Sequence, residues 1–573
     1  MSHATRRTFL AGAGLTGLAA TFPAAARAQL RPGEPESIIF NAKVYTVDDR
    51  APRAAAFALR DGRFLAVGTN DAIKALSGPR TTLWDAQQMT IVPGFIDTHS
   101  HPGGETLLYE VIVGNPFRVE FVPISDIIAK LRERASKTPP GQWVTGYFYD
   151  DTKIKDGRPL NIQDLDKVSD RHPVVVNHRG GHSAIYNSFA FRQANITKDS
   201  TPPVGGTYDK DGNGNLNGRA TDSAMGVLDK VGDRVTYAPE ERAKRHLAGL
   251  EYMSKAFVRS GLTTVHHNSG NQLTALQDLR RAGCLLHRAR YEPSVYDDGP
   301  EGLDALVAQG IQTGFGDDWI RVGAMSEWAV DGSFSERTMA MSTPYAGVSP
   351  PYKGNIMLSQ QELDERVERM HRARIQVNCH ANGDVAIDMY LTALERVHSR
   401  FPRPDARPKI THCTMVNADL IARMKRLDAV PSLFTTYAYY NADKFKMYGE
   451  KLMQNCMAFR SLLDAGVQVA AGSDFSPGPF DPLMGIQGMV TRKGWNGEIW
   501  GANQRVSVAD AIRINSLNGA YNSSEEKTMG SISPGKLADY VVLEADPHSV
   551  DPETIQNIRI ARTVVGGQVV YST

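Results

Sequence analysis

Two histidines spaced two residues apart, His99 and His101, follow an apolar run that begins at Ile91. If this run is a strand, the side chains of residues i and i+2 project to the same side, so both imidazoles can face one point. Imidazole is a good ligand for zinc and similar divalent metals. A bare His-x-His pair also arises by coincidence or on a surface, and it is the apolar run before the pair that favours a metal site.

Three more side chains that can bind a metal stand at the ends of short apolar, strand-like runs. They are His380, His412 and Asp474, after residues 375–379, 409–411 and 467–473 respectively. Any one of them alone is more often a structural residue than a ligand. Four such strand ends in one chain are hard to attribute to chance, and barrel enzymes place their catalytic groups at the C-terminal ends of their strands. The sequence therefore predicts one metal centre built from these three residues together with His99 and His101.

The elements that position these residues alternate between helix-like and strand-like stretches along the middle of the chain. In order they are Gln360–Ala373 (helix), Ile375–His380 (strand), Val385–His398 (helix), Lys409–His412 (strand), Ala418–Lys425 (helix), Ala429–Leu433 (strand), Cys456–Ala465 (helix) and Val467–Ala471 (strand). This alternation is typical of an α/β fold with parallel strands inside and helices outside, as in a TIM-type (β/α)8 barrel. We predict such a barrel over residues 91–529. Residues 105–230 are rich in Gly, Pro and Asn and do not keep the alternation, which predicts an insertion after the first barrel strand.

Both ends of the chain are rich in short β-type runs. Residues 36–90 contain four such runs, with Asp61-Gly62 as a hairpin turn, and residues 530–573 contain three, with Gly566-Gly567 as a turn. Gly, Asn and Asp favour such turns because their central residues need positive φ angles. Two β-rich ends that enclose a long α/β middle predict one composite β-module built from both termini.

The composition argues against several other classes of protein. The chain has 573 residues, enough for a barrel with attached modules, and its 64 basic and 63 acidic residues leave a formal net charge of +1. This balance gives no electrostatic case for a nucleic acid or an anionic membrane as partner. The sequence has neither a G-x-S-x-G nucleophile elbow nor a G-x-x-x-x-G-K-[ST] phosphate loop, which disfavours a serine hydrolase and a phosphate-loop nucleotide site.

One glycine-rich segment begins like a calcium-binding loop. Residues 209–215 read Asp-Lys-Asp-Gly-Asn-Gly-Asn, but the twelfth position of the loop is Ala220, where a bidentate glutamate is needed. The segment is therefore interpreted as a hairpin turn.

The N-terminus has the features of an export signal. Arg6-Arg7 precedes Phe9-Leu10, an apolar stretch rich in Gly and Ala follows from Ala11, and Ala26-Arg27-Ala28 offers a signal-peptidase site. Paired arginines in this setting resemble the bacterial twin-arginine signal. We predict that residues 1–28 are a twin-arginine signal peptide, with an ordinary secretory signal or an uncleaved anchor as the alternative. The expected partner is the twin-arginine export machinery, and the mature protein is expected to be periplasmic or secreted and not inserted in the membrane.

The motifs resemble those of the amidohydrolase superfamily, and within it the branch called amidohydrolase family 3, which contains N-substituted formamide deformylase-like hydrolases. The resemblance rests on the segments at residues 93–101 (PGFIDTHSH), 141–143 (GQW), 181–183 (GHS), 331–333 (DGS), 380–384 (HANGD), 411–412 (TH), 472–474 (GSD) and 534–539 (PGKLAD). It covers nearly all of the mature chain. The motifs are specific for the superfamily, fairly specific for the branch and not specific for a substrate.

This resemblance implies a distorted TIM (β/α)8 barrel and a small β-sandwich composed of residues 36–90 and 530–573. It also implies hydrolysis of an amide-type C–N bond in a small molecule by metal-activated hydroxide. The expected cofactor is a divalent metal, zinc being the expected ion, at one or two per chain. A homodimer is left open.

Two positions depart from the pattern of the branch. Glu327 stands four residues before Asp331, where the branch usually has a lysine, and Thr411 stands where a glutamate often precedes the histidine. In related enzymes the strand before Asp331 supplies a carboxylated lysine or a glutamate that bridges two metals. Glu327 is accordingly either a bridging ligand of a two-metal site or a salt-bridged residue beside a one-metal site.

The candidate catalytic residues are Asp474 and His182. Asp474 would take a proton from the attacking water and hand it to the leaving nitrogen. His182 matches a histidine motif of the branch and is interpreted as a substrate-facing group that polarises a carbonyl or oxyanion, with a turn-capping histidine as the alternative. His178, His266 and His267 are interpreted as structural. Two other functions stay open: the same metal site used for deamination or for lactone or ester hydrolysis, and a non-catalytic periplasmic metal- or ligand-binding protein.

Overall fold

The computed structural model describes residues 33–268, 272–296, 299 and 301–573. The signal peptide predicted at residues 1–28 lies outside the described residues.

The strands are, in chain order, β1 Ser37–Phe40, β2 Lys43–Tyr45, β3 Arg53–Ala54, β4 Ala56–Arg60, β5 Arg63–Gly68, β6 Thr82–Asp85, β7 Thr90–Pro93, β8 Phe95–Ser100, β9 Val111–Ile112, β10 Val144–Tyr149, β11 Val174–His178, β12 Ser183–Tyr186, β13 Gly206–Lys210, β14 Leu216–Asp222, β15 Leu262–Asn268, β16 Arg288–Glu292, β17 Ile320–Val322, β18 Trp328–Ala329, β19 Asn378–Ala381, β20 Lys409–His412, β21 Val430–Phe434, β22 Ala470–Gly472, β23 Tyr540–Leu543, β24 Ile560–Val565 and β25 Gln568–Ser572.

The α-helices are α1 Asn70–Lys74, α2 Glu105–Tyr109, α3 Ile124–Ser136, α4 Ile162–Asp166, α5 Ser188–Gln193, α6 Met225–Leu228, α7 Pro239–Arg259, α8 Leu273–Arg281, α9 Leu303–Ala308, α10 Gln360–Arg372, α11 Asp384–Arg400, α12 Ala418–Arg426, α13 Tyr437–Tyr440, α14 Ala442–Phe445, α15 Glu450–Met453, α16 Phe459–Asp464, α17 Pro482–Thr491, α18 Val508–Ile514 and α19 Leu517–Asn522. Residues 502–504 and 552–557 form 3-10 helices.

The middle of the chain forms an α/β fold in which strands and helices alternate. One parallel sheet has the order β17-β16-β15-β8, and a second has the order β18-β19-β20-β21-β22. The outer strands β22 and β8 lie side by side, because the amide of Asp474 donates to the carbonyl of His99 at 2.9 Å and Thr98 Oγ1 donates to the carbonyl of Ala471 at 2.7 Å. The C-terminal ends of both sheets therefore meet on one side of the molecule.

Local sequence signals set the helices that alternate with these strands. Helix α10 begins at a capping box, in which the Ser359 side chain accepts from the backbone of Glu362 and the Glu362 side chain accepts from Ser359. Its buried side chains include Leu363, Val367 and Met370, at the spacing of one helical face. The predicted helix at 360–373 is thus confirmed.

The two ends of the chain share one sheet. Strand β7 pairs with β23 in the six-stranded sheet β25-β24-β23-β7-β2-β3, and the remaining N-terminal strands form the sheet β5-β4-β1-β6. Phe57 and Phe64 from the second sheet pack against Tyr540 from the first at ring-centroid distances of 5.0 and 6.3 Å. Asp61 and Gly62 have the positive φ angles of the expected β4–β5 hairpin turn.

The strand that carries His99 is not continuous with the apolar run before it. Residues 90–93 (β7) belong to the terminal sheet, whereas residues 95–100 (β8) belong to the parallel sheet, so the single strand expected from Ile91 to the histidines is wrong. The break falls at Gly94, where a Cβ atom would lie 2.1 Å from Thr263 Oγ1. Glycine leaves room for the Thr263 side chain at the point where the chain passes from one sheet to the other.

Residues 105–230 lie between β8 and β15, as expected of an insertion, but they form an α/β unit of their own. Its sheet has the order β13-β14-β12-β11-β10-β9, with β9, β10 and β11 parallel. The expectation that this segment lacks the β/α alternation is therefore wrong in part, since α3 and α4 connect the parallel strands. The loop that resembles a calcium site is the turn of the β13–β14 hairpin, closed by a hydrogen bond from the Asp211 amide to the Asn215 carbonyl.

No helix within the described residues is long and apolar enough to cross a membrane.

Candidate metal centre

The structure brings the five ligands predicted from strand ends to one place, together with Glu327. His99 lies in β8, His380 in β19 and His412 at the last position of β20, while His101 and Asp474 lie just beyond β8 and β22. Glu327 immediately precedes β18. These positions are all at the C-terminal ends of parallel strands, where the side chains of neighbouring strands converge.

The first half of the centre consists of His99, His101 and Asp474, with one oxygen of Glu327. Asp474 Oδ1 lies 3.1 Å from Nε2 of His99 and 3.2 Å from Nε2 of His101. Glu327 Oε1 lies 3.3 Å and 3.6 Å from the same two nitrogens. His99 is fully buried, whereas 42% of the His101 side chain is exposed, so this half of the centre is open to solvent along His101.

The second half consists of His380 and His412, with the other oxygen of Glu327. His412 Nε2 lies 2.9 Å from Nδ1 of His380 and 3.6 Å from Oε2 of Glu327. Nδ1 of His380 lies 4.0 Å from Oε2. The two oxygens of a single carboxylate thus face two separate groups of histidine nitrogens.

Glu327 is held in this orientation by Asn268, a residue that sequence reasoning missed. Asn268 Nδ2 donates to Glu327 Oε1 at 3.0 Å, while the buried Oε2 has no hydrogen-bond partner among the described residues. A buried carboxylate oxygen without a partner is costly in a folded protein, and a bound cation would satisfy it. The signal in the sequence was the position of Asn268, at the end of the buried run Leu262–Asn268.

The charges of the cluster suit a cation. Burial lowers the pKa of His101, but hydrogen bonding to Asp474 and Glu327 outweighs it and raises the pKa to about 10. Burial also lowers the pKa of His380 to about 4, so its ring is neutral at physiological pH. Neutral imidazoles and ionised carboxylates are the forms in which these side chains bind a metal. The six residues therefore fit a divalent ion in donor type, and a bound cation would replace the proton that Asp474 and Glu327 hold on His101.

His380 is oriented by the loop that carries the Asp331-Gly332-Ser333 motif. Its Nε2 lies 3.1 Å from the Gly332 carbonyl and 3.0 Å from Nδ2 of Asn382, so this side of the ring is held by the loop while Nδ1 faces His412. Asp331 fixes the loop by accepting from the amides of Asn382, Gly383 and Ala340 at 2.8–2.9 Å. Burial raises the pKa of Asp331 to about 7 against these hydrogen bonds.

Backbone conformation also directs two of the ligands. His412 and Asp474 have φ angles of 74° and 50°, in the left-handed region that non-glycine residues rarely adopt. Strained residues of this kind persist where surrounding contacts over-determine them, often at functional sites. Thr411, which departs from the pattern of the family branch, does not face the cluster of histidines and carboxylates. Its hydroxyl donates instead to Asn378 Oδ1 at 2.8 Å.

His182 reaches the centre from the insertion. Its ring centroid lies 4.8 Å from that of His380, and its Nδ1 lies 2.7 Å from Asp222 Oδ1. Burial lowers the pKa of His182, but the hydrogen bond to Asp222 outweighs it and raises the pKa to about 9. The structure therefore places His182 beside the candidate metal ligands, and its ring contacts the carboxylate of Asp222.

The histidines interpreted as structural lie in other polar clusters. His178 approaches Asp150 and Asp151, a group that could in principle hold a metal. Asp150, however, lies 3.0 Å from Lys153 Nζ and 3.1 Å from Lys444 Nζ, and these two ammonium groups already neutralise it and would repel a cation. This cluster is an ion-pair network between the insertion and the rest of the chain.

A model of the amidohydrolase family matches residues 82–571. The chain belongs to the amidohydrolase family. Putative amidohydrolase YtcJ of Bacillus subtilis (strain 168) is 26% identical to it over 552 residues, which covers 92% of this chain and 98% of that protein. N-substituted formamide deformylase of Arthrobacter pascens is 25% identical over 555 residues, which covers 93% of this chain and 98% of that protein.

Solved structures resemble the fold of this family member. An uncharacterized metal-dependent hydrolase from Pyrococcus horikoshii OT3 superposes with a TM-score of 0.67 at 21% identity, covering 90% of this chain and 99% of that one. The resemblance stated from the motifs is thereby confirmed at the level of the family.

Proposed function

We propose that this chain is a metal-dependent amidohydrolase that cleaves an amide-type C–N bond of a small molecule. The observation that carries the proposal is the divided carboxylate of Glu327, whose oxygens face His99 on one side and His412 on the other at 3.3 and 3.6 Å. This arrangement supports two divalent ions bridged by Glu327, with zinc as the expected metal because the donors are imidazole and carboxylate.

The six residues proposed to hold the metal are His99, His101, Glu327, His380, His412 and Asp474. A divalent metal held by them would lower the pKa of a water molecule toward neutrality and polarise a carbonyl oxygen. The chain supplies the proton transfers. Asp474 is ionised, because the neighbouring histidines outweigh the effect of burial and keep its pKa well below the usual range, so it can accept a proton from the attacking water.

The same carboxylate then returns the proton to the leaving nitrogen, without which an amine departs poorly. Asp474 Oδ1 lies 3.2 Å from Nε2 of His101, the most exposed of the ligands, and so stands on the side of the centre that solvent reaches. His182 is the group that hydrogen-bonds the carbonyl oxygen as it gains negative charge.

We infer further that the two parallel sheets together form a distorted (β/α)8 barrel. The contact between β22 and β8 supports closure on one side, and β17 and β18 support it on the other if they are two pieces of one strand interrupted before Glu327. The two terminal sheets would form the composite β-sandwich, with its boundary at Gly94 instead of residue 90.

Residues 1–28 support a further proposal, that the protein is exported by the twin-arginine machinery to the periplasm or beyond. Their paired arginines, apolar stretch and Ala-x-Ala site are the supporting features. A fusion of these residues to a reporter, with Arg6 and Arg7 changed to lysine in the control, tests the route. Export that persists in the lysine pair would contradict it.

The reaction is tested with metal-loaded protein and a panel of three substrate types: amides including N-substituted formamides, ring amines that release ammonia, and lactones. We expect release of amine from one or more amides, loss of activity with a chelator, and recovery on adding zinc. Ammonia release from ring amines or ring opening of lactones, without amide cleavage, would replace the proposed reaction by deamination or lactone hydrolysis. No turnover of any type by protein with bound metal would favour a binding protein.

A further inference from the structure

The carboxylate of Asp222 is buried and lies against Nδ1 of His182, on the side of the ring away from Nε2. We infer that Asp222 is a positioning residue for the reaction, which holds Nδ1 of His182 and so presents Nε2 to the substrate beside the metal ligands. This inference rests on the proposed function, since it concerns the same site.

The strand register brings the two residues together. In the antiparallel pair β12–β14, Ser183 lies opposite Thr221, so His182 and Asp222 are the next pair at the end of the ladder. The amide of Asp222 donates to the carbonyl of His182 at 2.9 Å, and the side chains meet at 2.7 Å between Oδ1 and Nδ1. One main-chain hydrogen bond and one side-chain hydrogen bond thus join the same two residues.

The chemistry of this contact decides which nitrogen of His182 is free. A carboxylate accepts hydrogen bonds and has no proton to donate when ionised, so Nδ1 must carry the proton that is shared with Asp222. Whether the ring is neutral or charged, Nε2 is the nitrogen left for another partner. An imidazole whose other nitrogen is held by a carboxylate is a recurring way to fix both tautomer and orientation.

Asp222 is itself held in place. Its side chain is completely buried, and Oδ2 accepts from Nδ2 of Asn355 at 2.6 Å. Asn355 in turn accepts from the hydroxyl of Tyr352 at 3.0 Å. Asp222 also has a φ angle of 46°, in the left-handed region, so its backbone position is maintained by these contacts and not by local preference.

The backbone of His182 is fixed from a different direction. Its amide donates to the carboxylate of Glu336 at 3.1 Å, and the neighbouring Ser183 hydroxyl donates to the same group at 2.8 Å. Glu336 follows the Asp331 motif whose loop orients His380. The ring of His182 is therefore set relative to His380 through the protein, at 4.8 Å between centroids, and 17% of its side chain remains exposed for a substrate to reach.

The test uses Asp222→Asn, His182→Ala and the double variant in the metal-loaded enzyme, with an amide substrate from the panel. We expect Asp222→Asn to lower kcat about 100-fold with little change in KM and unchanged metal content. The double variant should be no slower than His182→Ala alone, because Asp222 acts only through that ring. Asp222→Glu, which restores a carboxylate, should recover part of kcat. Asp229→Asn is the matched control, a loss of the same charge at an exposed position of the insertion.

A second readout does not depend on turnover. In crystals of metal-free protein, the His182 ring should keep its 4.8 Å separation from His380 in the unchanged chain and rotate away in Asp222→Asn. Unchanged kcat, an additive loss in the double variant or an unmoved ring would each overturn the inference. If the unchanged chain cleaves no amide, the proposed function fails, and the ring position still decides whether Asp222 holds His182. Should Asp222→Asn not fold, Asp222→Ser, which also removes the carboxylate, carries both measurements.

Discussion

Glu327 and His412 face each other across the candidate metal centre, with 3.6 Å between Oε2 and Nε2. Oε2 is buried and has no hydrogen-bond partner in the part of the chain that the structure describes, whereas Oε1 accepts from Asn268 and approaches His99. The sequence left Glu327 open between a bridging ligand and a salt-bridged neighbour. The position of its two oxygens, one toward each group of histidines, favours the bridge.

Glu327→Gln tests the bridge. The amide keeps the size and the hydrogen bond to Asn268 but removes the charge, so we expect bound divalent metal to fall from about two ions per chain to about one or fewer. Plasma mass spectrometry on protein purified without chelator measures this directly. Glu365→Gln, at an exposed position of α10, is the matched control. Equal metal content in both variants would contradict the bridging role.

Asp474→Asn tests the proton transfer. We expect kcat to fall by about 10²–10⁴-fold, because asparagine cannot take the proton from water, while the thermal midpoint and most of the metal are retained. Asp464→Asn on α16 removes the same charge at an exposed position and should leave kcat unchanged. Near-normal turnover by Asp474→Asn would remove this residue from the mechanism.

Gly383→Ala tests the loop that orients His380. A Cβ atom at Gly383 would lie 1.8 Å from the carbonyl oxygen of Ala340, so the backbone must shift and the hydrogen bonds to Asp331 must weaken. We expect a loss of about 1–3 kcal/mol of stability, seen as a lower thermal midpoint, and easier loss of metal to a chelator. Gly226→Ala, where no atom lies within 4 Å, should change neither.

We expect the free energy of unfolding to depend on pH through the buried pair His267 and His287. The rings are buried and share a hydrogen bond of 2.8 Å between their Nε2 atoms, and burial lowers the pKa of His267 to about 4. The His267 ring binds a proton more readily in the unfolded chain than in the folded one. The contribution of the neutral, buried ring to the free energy of unfolding is therefore complete above about pH 6.5 and is lost as the pH falls toward 4. For a shift of this size it amounts to about 3 kcal/mol.

Thermal unfolding of the metal-free protein between pH 7 and pH 4 measures the effect without interference from metal release. We expect the midpoint of the unchanged chain to fall through this range, and that of His267→Asn to start lower at pH 7 and fall less steeply. Parallel curves for the two proteins would show that the buried pair does not carry the effect.

Short-range patterns in the sequence were sufficient to locate most of the residues that cluster at the candidate metal centre. The strand predicted at Lys409–His412 has the bounds observed for β20, and the Asp61-Gly62 turn lies where the β4–β5 hairpin reverses. These features depend on the periodicity of a few neighbouring residues and on the φ angles that Asp and Gly tolerate. The sequence also predicted that the side chains at the strand ends would cluster, because parallel strands bring their C-terminal ends together.

The tertiary structure alone decided how these parts face each other. Asn268 and Glu327 are 59 positions apart and Asp222 and His182 are 40 positions apart, so no local pattern reports their contacts. The transfer of the chain between sheets at Gly94 depends on the approach of Thr263, a residue far along the sequence. Orientation of a buried polar side chain follows from which partners the packed strands bring within hydrogen-bonding distance, and that distance is fixed only when the whole fold has formed.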